Sequence, residues 1–61
     1  MPGVIVKMLE GRTVEQKRGL AEAITEAVMK HTGAPAEAVD VIIEDHPRTD
    51  WAKAGKLHSD K

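Results

Sequence analysis

Pro2-Gly3-Val4-Ile5-Val6-Lys7-Met8-Leu9-Glu10-Gly11-Arg12-Thr13-Val14-Glu15-Gln16 holds a strand, a turn and a helix start in one short run. Residues Pro2 to Leu9 alternate: Val4, Val6 and Met8 share one face, and Ile5, Lys7 and Leu9 the other. Both faces are largely apolar, as in a strand covered on two sides. Glu10-Gly11-Arg12 reads as a turn. Thr13 then starts a helix as its N-cap, with Gln16 three residues on to complete a capping box. Glu15 in the first turn suits the positive end of the helix dipole.

The helix pattern continues outward from this run. Leu20, Ile24, Ala27, Val28 and His31 fall on one stripe, with Lys17, Arg18, Glu22, Glu26 and Lys30 elsewhere. Gly19 inside it marks either close approach of a neighbour or mere tolerance. Gly33 and then Pro35 stop the helix. Ala38 to Glu44 reads as a second strand, with Val39, Val41 and Ile43 on one face and Asp40, Ile42 and Glu44 on the other. A helical crossover of this length suits a parallel, right-handed pair. His46-Pro47-Arg48-Thr49-Asp50 is turn chemistry. Residues 51–60, with Gly55 in the middle, read as a short hairpin or an arm. The fold class expected is α+β: two parallel strands, one helix and a small C-terminal hairpin, in a single domain over residues 1–61.

The size of the chain makes this unit incomplete. At 61 residues with no cysteine, it is small for an independent core and has no disulfide to help. One helix covers one face of two strands, and two strands are too few for a stable sheet. Oligomerisation is therefore expected, with sheets joining and open faces packing together. The three histidines form no ligand-spaced pair, so no metal site is expected. With a net charge of −1 and Trp51 as the lone aromatic, the chain shows no nucleic-acid surface. No apolar run spans a bilayer and no signal peptide is evident, so a cytoplasmic protein without a membrane partner is expected.

Few residues are equipped for chemistry. There is no Cys or Tyr, the single Ser (Ser59) lies in the tail, and no glycine-rich phosphate loop exists. Pro2 has two readings. A proline opening a strand is ordinary, because its missing N–H is harmless there. Initiator methionine is also generally removed before proline, which would leave a free secondary amine at a strand end. Such an amine titrates near ~8, and an apolar cleft or a nearby cation lowers that value toward neutral. It would then serve as a general base. If Met1 is retained, the nitrogen is a tertiary amide and cannot. Arg12 is either a solvated turn residue or a binder of a substrate carboxylate and developing enolate. Trp51 is a filler, an interface anchor or the wall of a cleft. Arg48 is a loop charge or a second carboxylate binder. Asp45 and His46 read as surface residues, and His31 as a packing or capping residue.

Together, these features resemble the 4-oxalocrotonate tautomerase family, the short-chain branch of the tautomerase superfamily. The resemblance rests on Met1-Pro2, on Lys7 to Thr13, on Glu15-Gln16-Lys17-Arg18, on Val41-Ile42-Ile43-Glu44 and on Ala54-Gly55-Lys56. It implies a β-α-β subunit assembled as a homohexamer, a trimer of dimers, with sites completed by neighbouring subunits. It implies a cofactor-free isomerase that moves a proton between carbon and oxygen of a small 2-hydroxydienoate or 2-oxo acid, 2-hydroxymuconate-like or phenylenolpyruvate-like. Pro2 would be base and then acid, Arg12 would bind carboxylate, and Trp51 would wall the cleft. One position departs from the pattern. Asp40 stands where well-studied members carry a second arginine, which argues against a dicarboxylate unless another cation, such as Arg48, substitutes. Two further readings stand beside this one. The same base could activate water for hydration or dehalogenation of an unsaturated acid, or the chain could be an oligomeric protein with vestigial activity.

Overall fold

No residue of this chain is buried among residues 1–60, which the computed structural model describes. The chain is flat and drawn out, 43 × 23 × 13 Å, with a radius of gyration of 14.4 Å. A compact domain of this length would measure about 10.5 Å. Its accessible surface is 4647 Å², against about 3900 Å² for a compact monomer of this mass.

The elements follow the expected order: β1 (Gly3–Leu9), α1 (Val14–Thr32), β2 (Asp40–His46), β3 (Ala52–Lys53) and β4 (Lys56–Leu57). β1 and β2 pair in parallel, from Gly3 opposite Asp40 to Leu9 opposite His46. β3 and β4 form the small antiparallel hairpin. The fold is thus α+β, a β-α-β unit with a C-terminal hairpin. No helix is long and apolar enough to cross a membrane.

The helix begins where its chemistry demands. The Thr13 N–H donates to Gln16 Oε1 at 2.9 Å, and the Gln16 N–H donates to Thr13 Oγ1 at 3.1 Å. Both links of the capping box are present and satisfy donors that the first turn otherwise leaves orphaned. At the far end Gly33 adopts φ +77° and its N–H bonds to the Met29 carbonyl, the left-handed ending that glycine permits without penalty.

Three details differ from the pattern read off the sequence. The second strand starts at Asp40 instead of Ala38, because Ala36–Ala38 close into a 3-10 turn. It runs on through His46, because the ladder with β1 continues until the Glu10 N–H meets the His46 carbonyl at 2.9 Å. The buried stripe of α1 is also rotated. Lys17, Leu20, Ala21, Ile24, Thr25 and Val28 are half-buried, whereas Ala27 and His31 are exposed. Thr25 belongs to that stripe because its hydroxyl donates back to the Ala21 carbonyl at 2.8 Å, so its polar atom costs little. Gly19 is exposed with open space around it, which favours tolerance over close approach.

The sheet has one covered and one bare face. Val4, Val6, Met8, Val41 and Ile43 are half-buried on the helix side. The Lys17 ammonium pairs with Asp45 across that interface. On the other side Ile5 and Ile42 lie directly opposite one another and remain 57% and 51% exposed. That central apolar pair has no cover within the chain, which is the structural reason to expect a partner.

Candidate active site

The sequence-derived site residues lie at opposite ends of β1. Pro2 precedes the strand and Arg12 follows it after the Gly11 turn, where φ is +120°. Seven strand steps separate Pro2 from Leu9, about 23 Å at about 3.3 Å each. One chain therefore does not bring Pro2 and Arg12 together.

The amino end is sparsely built. Pro2 is half-buried and Met1 is 93% exposed. While Met1 is attached, the Pro2 nitrogen is a tertiary amide. The Pro2 carbonyl accepts from the Asp40 N–H at 2.9 Å, which fixes the start of β1 against the start of β2. Asp40 itself stands across from Gly3 in the ladder, and a methyl added at Gly3 would meet nothing within 4 Å. The Asp40 carboxylate makes no ion pair among the described residues. It is an uncompensated negative charge one ladder step from Pro2.

The carboxyl end is denser. Arg12 lines a recess of about 220 Å³ with Met8, Gln16, Lys17 and Leu20, at the junction of β1 and α1. Its guanidinium makes no ion pair among the described residues. On the bare face a groove of about 320 Å³ is lined by Lys7, His46, Asp50, Trp51 and Ala52. Trp51 is half-buried there, and its ring stands edge-on to His46 with centroids 6.0 Å apart and planes at 72°, a favoured aromatic geometry. Arg48 lies in the exposed 3-10 turn Arg48–Asp50 and is not among the groove's lining residues.

His46 is not the surface residue its turn-like sequence suggests. It is the last residue of β2 and is half-buried. Its Nε2 is shielded from solvent and lies 3.4 Å from Glu44 Oε1 without hydrogen-bond geometry. The ring is therefore held between Glu44 and Trp51. Lys7, His46, Asp50 and Ala52 are the residues of this groove to which the sequence reading gave no role, and two of them, Lys7 and His46, lie on β1 and β2. The signal for both was the alternation itself, which puts Lys7 and Leu9 on the bare face and, once the strand is carried to its end, His46 beside them. Among the described residues no group of His, Asp and Glu could hold a metal ion.

Comparison with known proteins supplies the context for this geometry. The profile of the tautomerase enzyme family matches residues 2–61. A 2-hydroxymuconate tautomerase of Bacillus subtilis is 57% identical over 60 residues, covering 98% of this chain and 97% of its own. Among solved structures, YwhB, a homologue of 4-oxalocrotonate tautomerase, superposes with a TM-score of 0.95 at 55% identity, covering 98% of both chains. A heterohexameric 4-oxalocrotonate tautomerase from Chloroflexus aurantiacus does so with a TM-score of 0.91 at 36% identity, over 97% of this chain and 95% of its own.

Proposed function

The chain belongs to the tautomerase enzyme family, and from that premise we propose that it catalyses a cofactor-free keto–enol proton shift on a small 2-hydroxydienoate or 2-oxo acid. The observation that carries this reading is the fixed start of β1, where the Asp40 N–H anchors the Pro2 carbonyl. Once Met1 is removed, the Pro2 nitrogen is a secondary amine on a rigid strand end. Its lone pair takes the enol hydroxyl proton, the electron pair moves through the conjugated system, and the ammonium returns a proton to carbon. Arg12 holds the substrate carboxylate and stabilises the developing enolate. Trp51 excludes water from the reacting atoms.

The two ends of β1 meet only between chains. A two-fold axis that joins equivalent sheet edges runs the joined strands antiparallel. Joining two chains along their β1 edges sets one chain's Pro2 beside its partner's Arg12 end. The bare Ile5–Ile42 face then remains for packing such dimers into a larger assembly, with a hexamer as the expected state. The heterohexameric relative supports that expectation. The protein would act in the cytoplasm.

The test is Pro2→Ala in protein freed of Met1, assayed for ketonisation of phenylenolpyruvate and 2-hydroxymuconate. A fall of about 10²- to 10⁴-fold is expected, the usual contribution of a positioned general base. An unchanged rate removes Pro2 from the mechanism. A second reading has one observation in its favour. Asp50 lines the groove beside Trp51, which offers an acid of the kind that hydration or dehalogenation of an unsaturated acid requires. Release of halide from a haloacrylate, lost on Asp50→Asn, would establish it.

A further inference from the structure

The groove on the bare face carries a cation that the mechanism above does not use. Lys7 lines it with Trp51, His46, Asp50 and Ala52. Lys7 stands directly across the ladder from Glu44, yet forms no ion pair with it or with any other described residue. Glu44 instead lies 3.4 Å from the His46 ring. Asp50, the other charge on the lining, is engaged locally, accepting from the Thr49 hydroxyl at 2.9 Å. Lys7 is therefore an unpaired ammonium beside an aromatic wall, with His46 fixed behind that wall.

We propose that Lys7 is the second cation of the assembled site and binds the substrate anion that Arg12 does not hold, such as the distal carboxylate of a dicarboxylate. This rests on the tautomerase reading above, in which one chain's Pro2 lies beside its partner's Arg12 end, the end of β1 that also carries Lys7. The charge layout gives the substrate a direction. Asp40 travels with Pro2 on one chain and repels carboxylates. Lys7 and Arg12 travel together on the other chain and attract them. The two sit on different sides of the same strand end, Arg12 toward the helix and Lys7 toward Trp51. A flat conjugated acid lying along Trp51 can then be held at both ends without any cation at position 40. The His46 ring stands edge-on to Trp51 behind this wall.

The experiment compares Lys7→Met and Lys7→Arg with the unaltered protein, all lacking Met1, on 2-hydroxymuconate and on phenylenolpyruvate. Lys7→Met keeps the stem and removes the charge. Its KM for the dicarboxylate should rise about tenfold or more, the scale of one charge-assisted hydrogen bond, while its KM for the monoacid shifts about twofold at most. Lys7→Arg should retain most of the affinity for the dicarboxylate. Equal KM values in Lys7→Met, equal increases for both acids, or dissociation of the oligomer by sedimentation would each overturn the proposal. Calorimetric titration with muconate, an unreactive dicarboxylate, keeps this separate from the chemistry. Weaker binding by Lys7→Met supports the role of Lys7 even if Pro2→Ala keeps its rate, and equal binding overturns it whatever Pro2 does.

Discussion

The two ends of β1 differ in almost every physical respect. The amino end offers Pro2, a bare Gly3 and an unpaired Asp40 carboxylate, with little side-chain wall around them. The carboxyl end offers Arg12 in a recess against α1, and Lys7, His46 and Trp51 around a groove on the opposite face. One end carries the candidate base without anything to bind a substrate. The other carries the cations Arg12 and Lys7 without a base. In the proposed assembly each end of this rigid strand holds half a site, and a second copy, running the other way, unites the halves.

The strongest way to break this comparison is to damage one end in each of two chains. Pro2→Ala and Arg12→Ala chains should each be nearly inactive alone. Unfolded and refolded together in equal amounts, they should recover up to about a quarter of full activity, because a random pairing matches an intact Pro2 with an intact Arg12 in that share of sites. Recovery no greater than the sum of the two parents would mean that each site is built within one chain. A milder change sharpens the electrostatic contrast. Asp40→Arg should raise kcat/KM for 2-hydroxymuconate about tenfold relative to phenylenolpyruvate, since a repelling charge beside Pro2 becomes an attracting one. An unchanged ratio would put Asp40 outside the site. The smallest effect belongs to the anchoring of the cationic end. Thr13→Ala removes the hydroxyl that caps α1 next to Arg12 and should cost about 1 kcal/mol in urea unfolding, with kcat little altered. A loss well below that in a cooperative transition would show that the capping box is dispensable.

Much of the fold could be read from residues because its signals are local. The period-two alternation of Val4, Val6 and Met8, the Thr13–Gln16 box and the Gly33 stop each act within a few residues. What escaped was set by pairing across the chain. His46 looks like the start of a turn because Pro47 follows it, and only the ladder with Leu9 keeps it in the strand. The exact stripe of α1 escaped for a related reason. Thr25 counts as polar in a sequence pattern but hides its hydroxyl on the Ala21 carbonyl. For the site, Pro2, Arg12 and Trp51 were legible as residue types with chemistry to offer. Their separation was not, since nothing in a linear pattern says that the candidate base and the candidate anchor flank opposite ends of a strand about 23 Å long. Lys7 was placed on a strand face but given no role, because its neighbours in the groove come from β2 and the segment after it.

Met1 gives the amino end a history as well as a shape. In the lone chain it projects fully into solvent, within easy reach of a processing peptidase. In an assembly joined along β1, the same side chain would sit where the substrate must enter. Maturation is then a question of sequence in time. On the proposed mechanism, cleavage has to come before docking, because a chain that docks first would seal an inert amide into the shared site.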